Sequence, residues 1–480
     1  MTTQVNGLEN ACARDHKTID DQSSPKFMKA QQSQRLKREV NQFLKAYPDL
    51  TQFEVLVTDI CGHYFGKRYP IDKLASFAAE GLAMPASMFT LSTLGEPLDG
   101  LYYGIDDGDP DAHFYLVPGS LCLNDWGREA RAQVVATTCD GDQPSWFEPR
   151  YVLQKVVDAY AARHWRPMVA FELEFYLFAA QRDADDLLQI VRNPKTGRKD
   201  TATVLSSARI GDFETVIDDI IHACEMQNID TGAISAELGP GQFEINFNHH
   251  ADVLRAADET CLFKRIVVEI AKKHGMGASF IAKPLLAFAG NGLHMHISVV
   301  DDQGKNIFAG PRKGHARLYH AIGGLLATMP AAMSFWAPNI NSYRRYRGGT
   351  SCAPVSLTWG NENRTVAFRI PHAKEGAWRV ENRVPGADAN PYLAMAVTLA
   401  GMLHGIQNKL DPGEATDQAV VGRDESLPLD MRTALARTLD SVELSDIMGR
   451  EFIELYCRHR AAETTAFENH INAREYDWYL

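Results

Sequence analysis

No run of 18 apolar residues occurs in the 480-residue sequence, so no segment is expected to span a membrane. Paired cysteines are missing as well. Cys12, Cys61, Cys122, Cys139, Cys224, Cys261, Cys352 and Cys457 lie far apart without a CxxC, which gives no expectation of a disulfide framework or a cysteine-held zinc. The first residues, MTTQVNGLENACARDHKTIDDQSSPK, lack the apolar stretch of a signal peptide. Free thiols without an export signal predict a cytoplasmic protein. Basic residues are in deficit, 49 against 61 acidic and a net charge of −12, so the basic stripe of a nucleic-acid binder is not expected. GxGxxG and GxxxxGK[ST] are also absent, which excludes a Rossmann turn or a P-loop as the cradle of a nucleotide. What is present, 45% hydrophobic and 23% charged residues, is the composition of a globular protein.

The length predicts two domains. Residues 1–31 read as a polar tail and 32–143 as a small α+β domain. That domain comprises a helix over 33–47, two strands around a turn at Gly62, and the turn cluster GIDDGDPD between aromatic-rich strands. The turn-rich CDGDQPSWFEPR marks the boundary, and 144–480 forms the large domain. There, strands alternate with helices expected at 148–164, 212–227, 251–274 and 315–334, and the last hundred residues are mainly helical.

The large domain carries an unusual alternation. In FELEFYLF, Phe171, Leu173, Phe175 and Leu177 alternate with Glu172, Glu174 and Tyr176. Alternate side chains of a strand point to opposite faces, so one face is apolar and the other carries two acids about 7 Å apart. GQFEINF sets Gln242, Glu244 and Asn246 against Phe243, Ile245 and Phe247. LHMHIS sets His294, His296 and Ser298 against Leu293, Met295 and Ile297. TVAFRI opposes Thr365 and Arg369 to apolar residues, and RVENRV does so with Arg379, Glu381 and Arg383. Any one of these could be an antiparallel strand with a solvated face. Solvated faces, however, are usually mixtures of Thr, Ser, Lys and Gln. Five faces rich in Glu, His and Arg point instead to a sheet curled around a charged funnel.

Five carboxylates in one funnel, Glu172, Glu174, Glu237, Glu244 and Glu381, need counter-ions, since burying an unpaired ion costs several kcal/mol. Carboxylates with one imidazole are hard ligands that suit Mg²⁺ or Mn²⁺. Arg345, Arg364, Arg369, Arg379 and Arg383 are what a polyphosphate and a carboxylate substrate require. Metals and arginines facing one cavity indicate phosphoryl transfer from a nucleotide.

With FELEFYLF, SAELGPGQFEINF, KPLLAFAGNGLHMHIS, APNINSYRRY, ENRTVAFRIP, RVENRVPGADANPYL and a C-terminal YL in this order, the chain resembles the type I-like glutamine synthetase family over residues 35–480. The resemblance implies an α+β fold. A small β-grasp-like N-terminal domain would join a catalytic domain whose curved antiparallel sheet forms a half-barrel surrounded by helices. It implies ATP and two or more Mg²⁺ or Mn²⁺ ions per active site. Glu174, Glu237 and Glu244 would hold the first metal, and Glu172, His294 and Glu381 the second. His296 and Ser298 would lie near the nucleotide, and Arg364, Arg369 and Arg379 on its phosphates. Arg345 and Arg383 would clamp substrate glutamate beside the Gly290–Gly292 loop. Glu174, Arg345 and Arg364 are the residues expected to serve catalysis. Two plainer readings stand beside these: Arg379 as a counter-ion of Glu381, and Ser298 as an ordinary strand residue. The family also implies a homo-oligomer, a dodecamer of two hexameric rings with active sites shared between subunits.

Two departures bear on the amine. Ammonia-using members carry an aspartate in a Phe-Asp-Gly-Ser-Ser segment, where this chain has MPASMF with Pro85 or Ala86. They carry a glutamate in the loop after NSYxR, where this chain has Ser351 and Cys352. A small, hydrated ammonium ion needs close negative charge to be bound and deprotonated. GKRYPI, MPASMF and WGNENRT are similar to the γ-glutamylpolyamine synthetase branch. The expected activity is therefore an ATP-dependent ligase joining the γ-carboxylate of glutamate to putrescine, spermidine or spermine through a γ-glutamyl phosphate. The alternatives are an ammonia-dependent glutamine synthetase, a ligase for a monoamine or ethanolamine, and a silent family member acting as sensor or scaffold. The acidic IDDGDPD loop reads either as a turn or as a lure for a polycation.

Overall fold

Period-two alternation sets the sheet faces, and the apolar periodicity of the helices covers them. The computed structural model describes residues 25–480 apart from 99–100, 102–107, 141–142, 185–186, 310–315, 348–352, 375 and 421. Helix α1 (Pro25–Ala46) leads into β1 (Gln52–Thr58) and β2 (Tyr64–Pro70), an antiparallel pair whose turn places Gly62 at a φ of +87°, where a side chain would be strained. Helix α2 (Leu74–Glu80) follows, then β3 (Leu82–Pro85), β4 (Asp111–Leu116), β5 (Cys122–Asn124), β6 (Arg131–Asp140) and the two-residue β7 (Gln143–Pro144). These strands form one seven-stranded sheet of order β2-β1-β6-β4-β3, with β5 and β7 also on β6 and with β1 and β6 parallel. Phe53, Val55, Val57, Leu74, Phe89, Phe114 and Val134 fill its core.

The second sheet carries the charged faces. After α3 (Pro149–Ala161) come β8 (Trp165–Ala179), α4 (Ser207–Asp212), α5 (Glu214–Met226), β9 (Thr231–Ala236), β10 (Gln242–Phe247), α6 (Val253–Lys273), β11 (Met276–Ser279) and β12 (Leu293–Asp301). Then follow α7 (Ala316–Trp336), β13 (Trp359–Asn361), β14 (Phe368–Ile370) and β15 (Val380–Asn382), and the chain ends in helices α8 (Pro391–Asn408), α9 (Met431–Asp440), α10 (Val442–Met448), α11 (Arg450–Glu468) and α12 (Ala473–Tyr479). The strand order is β13-β14-β15-β12-β8-β10-β9, with β11 beside β8, and all pairs are antiparallel except β13 with β14. The sheet curls into a half-barrel wrapped by helices, the α+β architecture expected from the sequence.

Phe171, Leu173, Phe175 and Leu177 of β8 are all fully buried in the core beneath this sheet. Each such side chain is worth about 1.5–3 kcal/mol on burial. That anchoring holds the strand in place against the repulsion of the acids on its other face. Helix caps fix the connections: Asp252 accepts a hydrogen bond from Arg255 N at the start of α6, and Asn390 accepts from Tyr392 N and Leu393 N at the start of α8.

Two sequence expectations shift. Helix α1 begins at Pro25, inside the stretch read as polar tail, because Lys, Gln, Ala and Arg are strong helix formers that carry little apolar pattern. The rest of that tail, 1–24, lies outside the described residues. In TVAFRIP only Phe368–Ile370 pairs as a strand. The GIDDGDPD turn and the LYY strand before it fall largely outside the described residues.

Candidate active site

The register of the second sheet lines the charged residues up in rows. Glu244 of β10 lies directly across from Glu174 of β8. Glu172 lies across from His294 on one side and Asn246 on the other. His296 faces Glu381, and Glu381 in turn faces Arg369. Side chains from five strands thus meet on one concave face.

The face has two electrostatic halves. In the first, Glu172 lies 2.9 Å from His296 Nε2 and 3.4 Å from His294 Nδ1. Burial alone would raise its pKa, but these two imidazole contacts hold it far below the usual carboxylate range. Arg379 Nε donates to His296 Nδ1 at 3.1 Å, so the His296 proton resides on Nε2 and points at Glu172. Glu381 is fully buried and sits between Arg369 Nε and Arg383 Nη1, the latter at 2.5 Å. Burial opposes its charge, yet Arg383, His296, His294 and Arg369 together bring its pKa down to about 2. The counter-ions of Glu381 are therefore Arg369 and Arg383, and Arg379 serves His296 instead.

In the second half, Glu174, Glu237 and Glu244 have no Lys or Arg within 4 Å among the described residues. Burial, reinforced by the charges of Glu174, Glu172 and Glu237, pushes Glu244 up to about 9. Burial and Glu174 push Glu237 up to about 7. Glu174 is held in place by Gly292 N at 2.8 Å and Gln242 Nε2 at 3.3 Å. The fully buried Gln242 also donates to Gly290 O at 3.0 Å and Asn291 Oδ1 at 3.1 Å. Gln242 was visible on the polar face of GQFEINF, but nothing in the sequence said that it would orient Glu174.

Two trios bring their ligand atoms within 4.8 Å of one another: Glu172, His294 and Glu381, and Glu174, Glu244 and His294. The first is the expected second-metal set. In the other, His294 stands where Glu237 was expected. Glu237 is tied by Ser235 Oγ at 3.0 Å and joins the group through its charge. In the second half the donor chemistry fits a divalent cation, since Glu237 and Glu244, crowded, raised and lacking basic partners, are stabilised by a dication.

The remaining expected residues take defined places. Arg345 is buried, its Nη1 donating to Val384 O at 2.7 Å. A Cβ on Gly290 would lie 3.0 Å from Arg345 Cγ, and one on Gly292 would lie 2.9 Å from His294 Nε2 and 3.0 Å from Arg345 Nη2, so this loop needs glycine to lie against both side chains. Arg383 Nε donates to Arg364 O at 3.1 Å, and Arg364 itself is exposed. Ser298 continues the His294–His296 face, half-buried opposite Met168. Pro85 and Ala86 lie at the junction of β3 with a short 3₁₀ turn, Ala86–Phe89, in which Ala86 is buried. Ser351 and Cys352 lie outside the described residues.

A half-barrel with acids, imidazoles and arginines converging on its concave face defines an enzyme for anionic substrates and divalent cations. Residues 147–479 match the family described as glutamine synthetase, catalytic domain. The chain is 38% identical to γ-glutamylputrescine synthetase PuuA of Escherichia coli (strain K12), covering 92% of this chain and 94% of that one. It is 31% identical to a glutamate–isopropylamine ligase of a Pseudomonas species, covering 88% and 93%. It is 29% identical to a glutamine synthetase of Thermococcus kodakarensis, covering 88% of each. The solved structure of apo GmaS without ligand shares the fold, with a TM-score of 0.76 at 24% identity over 91% of this chain and 98% of that one. The chain belongs to the glutamine synthetase family. Enzymes of this family use ATP and divalent metal ions.

Proposed function

We propose that this protein is an ATP-dependent ligase that joins the γ-carboxylate of glutamate to an amine, with a polyamine such as putrescine, spermidine or spermine as substrate. The observation that carries the reading is the divided funnel, with an acid cluster lacking basic partners on one side and arginines gathered at Glu381 on the other. Glu172, Glu174, Glu237, Glu244, His294 and Glu381 are suited to hold two or more Mg²⁺ or Mn²⁺ ions, which when bound supply positive charge for phosphate oxygens. Arg369, Arg379 and Arg364, with His296 and Ser298, serve the nucleotide. Arg345, Arg383 and the Gly290–Gly292 loop serve glutamate.

A carboxylate is a poor electrophile, so the γ-phosphoryl group of ATP first passes to the glutamate side chain. ADP leaves, and an acyl phosphate remains. The amine nitrogen then attacks the acyl carbon, the C–O bond to phosphate breaks, and the amine gives up a proton. Arginines fixed by backbone carbonyls and by Glu381 stabilise charge without reorganising as it develops.

The polyamine reading rests on the missing ammonium-binding acid at Pro85–Ala86 and on relatives whose names specify alkyl amines. The five described cysteines are free and buried, in keeping with a reducing cytoplasm. The family's ring architecture, a dodecamer with shared active sites, is part of the same proposal, as is the division into a 32–143 domain and a 144–480 domain.

The test is phosphate release with ATP, Mg²⁺ and glutamate, adding in turn ammonium, ethanolamine, putrescine, spermidine and spermine. Turnover with polyamines is expected, and Glu174→Ala is expected to abolish it in a folded protein. Turnover with millimolar ammonium and none with any polyamine would overturn the amine assignment. No release with any amine would favour a silent scaffold.

A further inference from the structure

Away from the funnel, the turn joining β1 to β2 packs on helix α11, and a second group of chemically capable side chains gathers there. Asp59, Cys61 and His63 bring ligand atoms within 4.8 Å of one another, and so do Cys61, His459 and Glu463. Cys61 belongs to both trios. Its Sγ lies 3.7 Å from Glu463 Oε1, and His459 Nδ1 lies 4.0 Å from Glu463 Oε2.

The ring of His459 is oriented for ligation. It is fully buried, and its Nε2 lies 2.9 Å from Leu91 O, a carbonyl that can only accept. The proton is therefore on Nε2, and Nδ1 presents a lone pair that finds no hydrogen-bond partner among the described residues. Asp59, 1% exposed, leaves Oδ2 equally unpartnered. Buried polar atoms without partners are uncommon, and this pocket holds three, the acceptors His459 Nδ1 and Asp59 Oδ2 and the donor Arg460 Nε. Glu463 is fixed by Thr93 N at 2.6 Å, Thr93 Oγ1 at 2.7 Å and the guanidinium of Arg460.

Charge bookkeeping explains how a cation fits beside Arg460. With a neutral thiol, Asp59 and Glu463 outweigh Arg460 by one negative charge. A thiolate at Cys61 raises the excess to two, which one dication cancels. Ligands about 2.0–2.3 Å from a tetrahedral ion stand about 3.3–3.8 Å from one another, close to the separations seen here. Thiolate, imidazole and carboxylate together suit a zinc-type ion and not Mg²⁺. No CxxC spacing announces the set, because Cys61 and Glu463 are 402 residues apart.

We propose that Cys61, His459 and Glu463 hold one zinc-type dication that staples the β1–β2 turn to helix α11, with the buried Asp59 and the exposed His63 flanking its fourth position. The site is independent of the ligase reaction.

Co²⁺ is the probe, added to the full-length protein with Mg²⁺ in excess to occupy the funnel, whose expected ligands include no cysteine. One equivalent of Co²⁺ should produce a thiolate-to-cobalt charge-transfer absorption that excess Zn²⁺ displaces. Cys61→Ser should abolish the band, His459→Gln should weaken Co²⁺ binding at least tenfold, and Cys224→Ser should leave both unchanged. Should Cys61→Ser fail to fold, X-ray absorption of the zinc-loaded native protein decides, with one sulfur expected in the coordination shell. No thiolate band in the native protein, a band that survives Cys61→Ser, or a shell of nitrogen and oxygen alone would each overturn the proposal.

Discussion

Loading the funnel with Mg²⁺ should expel protons, and the structure sets how many. Burial and the neighbouring acids push Glu244 up to about 9, and burial with Glu174 pushes Glu237 up to about 7. At pH 7 the metal-free site then holds about one proton, carried chiefly by Glu244. A ligating carboxylate must be deprotonated, so these protons compete with the metal. Affinity should rise with pH, by about tenfold per unit near neutrality, and flatten as pH passes about 9. Titration calorimetry of Mg²⁺ into nucleotide-free protein at pH 7, in buffers of differing ionisation enthalpy, counts the protons directly. Release of fewer than about half a proton per site, or an affinity independent of pH from 6.5 to 8.5, would show that the acids do not crowd one another.

Two further outcomes follow from the packing. Glu381→Ala leaves Arg369 and Arg383, 8% and 5% exposed, without their shared counter-ion, and should cost about 3–5 kcal/mol in urea unfolding. A loss below about 1 kcal/mol would mean that both arginines find other partners. Glu148, buried before α3 and accepting from Thr137 Oγ1 and Thr138 N, is raised by burial to about 7. A carboxyl whose folded pKa lies above its unfolded value stabilises at low pH, and that stability is lost as pH rises through about 7. Glu148→Gln should therefore unfold later than the native protein at pH 8.5, by up to about 3 kcal/mol, with the gain vanishing near pH 4.5. Equal differences at both pH values would refute the assignment.

Much of the funnel could be read from alternation alone. FELEFYLF, GQFEINF and LHMHIS placed Glu172, Glu174, Glu244, His294 and His296 on one face, because a strand has no choice but to alternate. Register was invisible. That Glu174 lies across from Glu244, and Glu172 from His294, depends on strands separated by loops whose sequence says little about pairing. Partner choice among like residues was hidden too. Five arginines were evident, but only side-chain geometry gives Arg369 and Arg383 to Glu381, Arg379 to His296 and Arg345 to the Val384 carbonyl. The central strand β6 of the first sheet went unassigned, although its VVATT run is rich in β-branched residues. Helix α1 was drawn too short, for want of apolar periodicity at its start.

The middle strand of the half-barrel is made long before its neighbours. When β8 leaves the ribosome, His294 is 122 residues away and Glu381 still further. Until β12 arrives, Glu172 lies on a strand without the imidazoles of His294 and His296 that hold its charge, and no early fragment can assemble the finished cup. The charged face is thus a late product of folding, closed by a ladder of remote pairings.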